Sequence, residues 1–409
     1  MTIEVATLAN GLRVAGLAMP GLRTAAVSLA AGCGARHEGE AENGLAHLFE
    51  HMLFKGTRVR SARAIAEAIE DVGGSLNAWT SRDGTVFHGR VLARDIPLAV
   101  DLLADLVSNP RFAEADLALE KEVIRSEIGE AADVPEDLVF DLLQEAAFPD
   151  QPLGRPILGT EESLARLDCD SLSHWRTTHY RAPGLALVAA GAVDHAELVA
   201  LAESALGGLD TTPPPTHRPA RWGGGTRAEK RRSEQAHVAI GFAGPGLHDP
   251  AHYAAQLFAT ALGGGMSSRL FQELREERGL AYSVSAAHVP HADTGLTSIY
   301  LAARPKAAAD TADRALAIAH ALSADLSQAE LDRARAQLKA GLLMGLESCA
   351  AQADWIGRTL LAFGRAIPPA EVEAAIDAVT LEEARAAGAA LLAQPAARAC
   401  VAPRAVFAG

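Results

Sequence analysis

The sequence predicts an α+β fold of two duplicated domains, each a mainly antiparallel sheet packed with helices. Three observations carry that expectation. Strand-like and helix-like segments mix irregularly, and connections as short as Gly73-Gly74 suit antiparallel neighbours better than a doubly wound parallel sheet. The densest Pro/Gly stretch, Gly207-Gly208-Leu209-Asp210-Thr211-Thr212-Pro213-Pro214-Pro215 with Gly223-Gly224-Gly225 after it, falls mid-chain, where neither a helix nor a central strand can continue. Finally, Ala115–Lys121 can be laid on Ala329–Arg335 without a gap, each opening a long helix after a polar turn. This is a degenerate duplication with a period of roughly 210 residues, not a short-period solenoid.

In chain order, 25–29 and 85–91 have the β-branched and apolar content of strands. Helical periodicity covers about 43–55, 61–72, 95–107 and 113–130, with Asn109-Pro110 breaking the chain before the last. Beyond the middle, 238–242 is strand-like and a helix runs from Tyr253 to Leu262. Each half ends in an apolar strand-like stretch, 185–190 and 397–401. The expected division is a domain over 1–209, a linker over 210–230 and a second domain over 231–409.

Composition bounds the function. The 409 residues suggest two or three domains, and 49% hydrophobic with 22% charged residues is a globular balance. Abundant alanine and scarce aromatics favour helix-rich layers. A net charge of −14 without any Lys/Arg stripe argues against nucleic-acid binding. The one basic cluster, Arg227, Lys230, Arg231 and Arg232, reads as a solvated linker end. No secretory signal or apolar run of membrane-spanning length is visible, so no membrane association is expected. Cys33, Cys169, Cys349 and Cys400 are scattered and form no CxxC pair, as in a reduced cytoplasmic protein.

The chemistry concentrates in His47-Leu48-Phe49-Glu50-His51. On a helix, histidines at i and i+4 project from one face, so both imidazoles reach one tetrahedral metal. Glu50 then sits beside the metal's open position, where it can deprotonate a bound water. A catalytic zinc needs a third ligand, and the helix at 113–130 offers Glu120, Glu122, Glu127 and Glu130. Glu120 and Glu127, seven apart, share a face, so one can bind metal while the other supports the site, but spacing does not choose between them. His248 and His252 repeat the i,i+4 spacing with only Asp249 nearby, and read as structural. Gly263-Gly264-Gly265 is followed by no GK[ST], which excludes a phosphate loop.

His47–Thr57 closely resembles the signature of the inverzincins, the pitrilysin-type (M16) zinc peptidases. The closest likeness is to the short-chain branch that includes mitochondrial processing peptidase, its beta subunit among them, and its bacterial relatives. The resemblance implies zinc as cofactor, one per chain, with His47, His51 and Glu127 as ligands, Glu120 as supporting carboxylate and Glu50 as the catalytic base. Gly73–Ser81 is similar to the family's substrate-binding edge strand, which implies that Asn77 and Ala78 contact an extended peptide by strand addition. Arg275 and Tyr282 match the pair with which the family holds substrate and the tetrahedral intermediate. Ala334 and Gly341 stand where Glu120 and Glu127 stand in the first half, so the second half is expected to lack metal and to serve substrate binding. The resemblance further implies a homodimer closing a chamber around its peptide, Arg275 and Tyr282 facing the zinc of the partner chain, with a heterodimer with an inactive paralogue as the alternative. Two other readings stay open: a non-enzymatic assembly subunit, and a processing protease dedicated to one precursor peptide.

Overall fold

The run Leu185–Gly191 is buried along its whole length, as a strand covered on both faces must be. Leu185, Leu187 and Ala189 join one hydrophobic layer, while Ala186, Val188 and Ala190 join the other. In the computed structural model, which describes residues 2–407, this strand lies inside a six-stranded sheet. The sheet comprises β1 (Ile3–Thr7), β2 (Arg13–Ala18), β3 (Thr24–Ala31), β4 (Ser75–Thr80), β5 (Thr85–Leu92) and β6 (Leu185–Gly191), in the order β1-β2-β6-β3-β5-β4. Only β2 and β6 run parallel; the other neighbours are antiparallel. The helices Leu45–Leu53 and Ile96–Ser108 supply Leu48, Phe49, Leu103 and Leu106 to the layer on one face.

A second sheet contains β7 (Gly225–Lys230), β8 (Ala236–Gly244), β9 (Ala281–Pro290), β10 (Gly295–Ala303) and β11 (Ala397–Ala402), in the order β7-β11-β8-β10-β9. Its one parallel pair is β7 with β11. Strand for strand, this repeats β2-β6-β3-β5-β4, including the place of the parallel pair. The duplication is therefore a duplication of topology, and the α+β architecture of two similar, mainly antiparallel halves is as expected. The helices Glu114–Asp133 and Gln328–Gly345 start in register with the sequence echo.

The compact units do not follow the contiguous division at 210–230. One comprises Met1–Ile128, Pro156–Arg218 and Leu343–Pro368; the other comprises Gly129–Arg155, Pro219–Leu342 and Pro369–Gly409. Two helices account for the interleaving. Pro135–Ala147, from the first half of the sequence, packs Val139, Leu143 and Ala146 against Ala239, Tyr300 and Val401 of the second sheet. Cys349–Phe363, from the second half, packs Ala353, Ile356 and Leu360 on Ala15, Leu17, Ala26 and Val188 of the first. Alanines on that sheet face allow close approach: a Cβ on Gly357 would stand 3.2 Å from the Cβ of Ala30.

The expected linker also ends early. Gly224 and Gly225 take φ of +72° and +116°, which turns the chain into β7, so 225–230 belong to the sheet. Of the basic cluster, Lys230 and Arg232 are exposed, while the two other members are paired. Arg227 pairs with Glu145 at 2.8 Å and Arg231 with Glu229 at 2.9 Å.

Candidate metal centre

The helix Leu45–Leu53 carries the motif because its sides differ sharply. Leu45, Ala46, Leu48, Phe49, Met52 and Leu53 are buried, which turns His47, Glu50 and His51 to the remaining face. Its N-terminus is fixed from outside the helix. Gly44 adopts φ +90°, and a Cβ there would meet the carbonyl oxygen of Leu158 at 2.8 Å. With no side-chain cap available, the buried Glu38 carboxylate accepts from the backbone N–H of Gly44 at 3.0 Å and of Ala46 at 2.8 Å. A carboxylate there also complements the positive end of the helix dipole.

Along the helix Glu114–Asp133 the buried positions form a narrow stripe, Leu117, Glu120 and Ile124, that faces the core. Placing a glutamate in that stripe points its carboxylate at the metal helix. Glu120 Oε2 lies 3.0 Å from His51 Nδ1, and its other oxygen lies 2.5 Å from Lys55 Nζ. Two turns on, Glu127 Oε2 stands 3.8 Å from His47 Nε2 and 3.7 Å from His51 Nε2. The choice that spacing left open is thus resolved in position. Glu120 engages the far nitrogen of His51, and Glu127 faces the Nε2 atoms of both histidines. Glu122 pairs with Arg125 instead, and Glu130 is exposed.

These atoms fit a zinc ion. Separations of 3.7–3.8 Å are too long for hydrogen bonds and near the roughly 3.4 Å edge of a tetrahedron with ligand bonds of about 2.0–2.1 Å. Burial, with His51 adding to it, pulls the His47 pKa down to about 4, so at neutral pH it offers the neutral imidazole that ligates. Donation from His51 Nδ1 to Glu120 leaves Nε2 as the lone-pair nitrogen, aimed at Glu127. Among the described residues, His47, His51 and Glu127 form the one group of three or more such donors close enough to hold an ion. His252 sits buried beside His288, ring centroids 5.6 Å apart, outside any such group.

Glu50 lies beside the cluster, half-buried, and burial raises its pKa against the lowering effect of a hydrogen bond from Thr80. Thr80 Oγ1 donates to Glu50 Oε2 in a short contact. Thr80 ends β4, the edge strand that also carries Asn77 and Ala78. Leu76 and Ala78 pack against the core, while the Asn77 Oδ1 accepts from the Ala78 N–H at 2.9 Å. Arg275 and Tyr282 lie in the other unit and beside each other. The Arg275 guanidinium stacks 4.8 Å from the Phe271 ring and 5.9 Å from that of Tyr282, which is exposed. At the positions matching Glu120 and Glu127, Ala334 is buried and Gly341 exposed, and neither offers a ligand. All four cysteines are free thiols, and no helix is long and apolar enough to cross a membrane among the described residues.

Sequence reading missed Thr80, Lys55 and Glu38. Thr80 and Lys55 lie within the motif stretches, but their partners come from other elements, and Glu38 precedes any recognisable helix signal.

Residues 13–161 match the model of the insulinase family, peptidase family M16, and residues 166–338 match that of the M16 inactive domain. A protein of Rickettsia bellii described as an uncharacterized zinc protease is 38% identical over 378 residues, covering 90% of each chain. The chain belongs to the M16 peptidase family. Other M16 relatives include an uncharacterized zinc protease of Mycobacterium leprae, 39% identical over 93% of this chain and 87% of the relative. The mitochondrial-processing peptidase subunit beta of Lentinula edodes is 35% identical over 93% of this chain and 85% of its own. Among solved structures, a protease from Helicobacter pylori superposes with TM-score 0.91 at 19% identity, over 98% of this chain and 99% of that one. These M16 relatives support zinc as the family's metal, and the superposition shows the shared fold.

Proposed function

We propose that this chain is a zinc-dependent endopeptidase that cleaves extended or unfolded peptides. His47, His51 and Glu127 hold the metal and Glu50 is the general base. The observation that supports this most is the convergence of the Glu127 carboxylate on both Nε2 atoms, with Glu50 on the same helix face. Zinc in such a donor set supplies Lewis acidity, which polarises a carbonyl and makes a coordinated water acidic near neutral pH.

The protein's own groups do the rest. Glu50 takes the proton of the attacking water and hands it to the leaving amine. Glu120, anchored by Lys55, holds His51 in one tautomer and orientation. An extended peptide adds to the free edge of β4 through backbone hydrogen bonds, with Asn77 and Ala78 at the contact, which makes recognition tolerant of sequence. Arg275 and Tyr282 hold the substrate and donate to the developing oxyanion. The proposal includes a cytoplasmic homodimer with one zinc per chain, closing a chamber around its peptide.

Replacing Glu50 with Gln keeps the shape of the side chain but removes the base. Cuts in a mixed peptide library, mapped by mass spectrometry, are expected to slow by about 10²–10⁴-fold while zinc content stays unchanged. Undiminished, chelator-sensitive cleavage by that variant would overturn the mechanism.

A further inference from the structure

We infer that Thr80 is a positioning residue for Glu50, so that the edge strand β4, proposed to receive the peptide, also orients the base. The inference rests on the endopeptidase reading above and adds a residue to it.

Among the described residues, Thr80 is the one hydrogen-bond donor to the Glu50 carboxylate. A carboxylate on a helix surface has several rotamers of similar energy, and a donor from a neighbouring element selects one of them. By engaging Oε2, Thr80 leaves Oε1 as the oxygen that accepts a proton. The proton moves from water to Oε1 as the water oxygen bonds to the scissile carbonyl carbon, and Thr80 keeps its own hydrogen throughout.

Thr80 is itself held. Its Oγ1 lies 3.4 Å from that of Thr85, the directly opposed residue on β5; with the Thr80 hydroxyl donating to Glu50 and that of Thr85 to the carbonyl of Cys33 at 3.1 Å, the two oxygens are in contact without a hydrogen bond between them. Thr85 is buried, so what limits Thr80 on this side is packing against the interior of the sheet. A β-branched side chain on a strand has few χ1 options, which limits where the hydroxyl can point.

Position along β4 places both roles on one strand. Residues two apart on a strand share a face, so Leu76, Ala78 and Thr80 face the same way. Leu76 and Ala78 pack into the core beneath the metal helix, and Thr80 completes the row by reaching Glu50. The outer backbone edge of the same strand is unpaired in the sheet, since β4 is the terminal strand. A peptide added there pairs alongside the strand that carries the hydroxyl, so substrate and base are aligned by one element.

The test compares Thr80→Val, isosteric but without a hydroxyl, with Thr80→Ser, which keeps it. For Thr80→Val, kcat is expected to fall about tenfold to a hundredfold with KM within about twofold, the range for losing a hydrogen bond to a charged group. Thr80→Ser is expected to retain most of the wild-type kcat. Zinc content, and affinity of the metal-free protein for a labelled unstructured peptide, should be the same in all three. Wild-type kcat in Thr80→Val overturns the inference, as does a Thr80→Ser variant as slow as Thr80→Val. An effect confined to KM or to peptide affinity also overturns it, because it would make Thr80 a substrate contact. The two readings fail separately. An active Glu50→Gln enzyme removes the endopeptidase mechanism, whereas an inactive Glu50→Gln with a fully active Thr80→Val removes only the role of Thr80.

Discussion

At the scale of single residues, the site is a chain of orientation in which each group is fixed by the next. Lys55 holds Glu120, Glu120 holds His51, and His51 shares Glu127 with His47. Glu120→Gln is therefore expected to fold and still bind zinc, but about 10–100-fold more weakly in competition with a chelator, because the ring of His51 loses its charged partner. Zinc affinity equal to wild type would show that Glu120 only fills space. The histidines and Glu50 were legible in the sequence because their relation is local: helical spacing alone puts i, i+3 and i+4 together. Glu127 and Glu120 were legible as a pair on one face, yet which of them meets the metal depends on how two helices pack. Thr80 was not legible. Nothing in a strand's own sequence says that its last hydroxyl meets a glutamate thirty residues earlier.

At the scale of elements, the helix bearing the motif depends on a cap from outside itself. Glu38 is buried and accepts the N–H groups of Gly44 and Ala46, together with the Asn43 side chain at 3.3 Å. Glu38→Ala would leave the Gly44 and Ala46 N–H groups without that acceptor, and a loss of about 2–4 kcal/mol in unfolding free energy is expected by denaturant titration. A change below about 0.5 kcal/mol would contradict the assignment of Glu38 as a structural cap. In the sister unit, Arg269 makes a forked pair with Glu330, at 2.6 and 2.9 Å, that joins the segment after the triple glycine to the helix Gln328–Gly345. Chiefly through Arg269, the Glu330 pKa falls from 4.5 to about 2. Because the folded state holds the carboxylate ionised where the unfolded state would protonate it, this pair stabilises above pH 4.5. The contribution is lost as pH falls from about 4.5 toward 2. Arg269→Gln is accordingly expected to lower stability at pH 7 and to flatten the acid limb of the stability profile. An acid limb unchanged in shape would show that the pair is not the titrating element.

At the scale of the whole molecule, the duplication was visible in sequence but the exchange of helices was not. The echo of Ala115–Lys121 in Ala329–Arg335 is a local pattern. That Pro135–Ala147 and Cys349–Phe363 each join the sheet of the opposite half depends on which apolar faces are left bare, and only tertiary packing decides that. The strands β1, β2, β7, β9 and β10 also went unread; β7, Gly-Thr-Arg-Ala-Glu-Lys, has one β-branched residue and carries little strand signal of its own. The exchange has a measurable consequence. Ile356→Ala in the second half should destabilise by about 2–5 kcal/mol and speed hydrogen exchange in β2, β3 and β6, leaving β8 and β10 protected. Loss of protection in the second sheet instead would contradict the exchange. In the proposed enzyme one unit binds metal and its sister, with Ala334 and Gly341 in the matching places, does not. Zinc counted per chain after exhaustive dialysis tests this most directly. One zinc is expected in the wild type and in Glu122→Ala, and none in Glu127→Ala. A second zinc in the wild type, or zinc retained by Glu127→Ala, would contradict it.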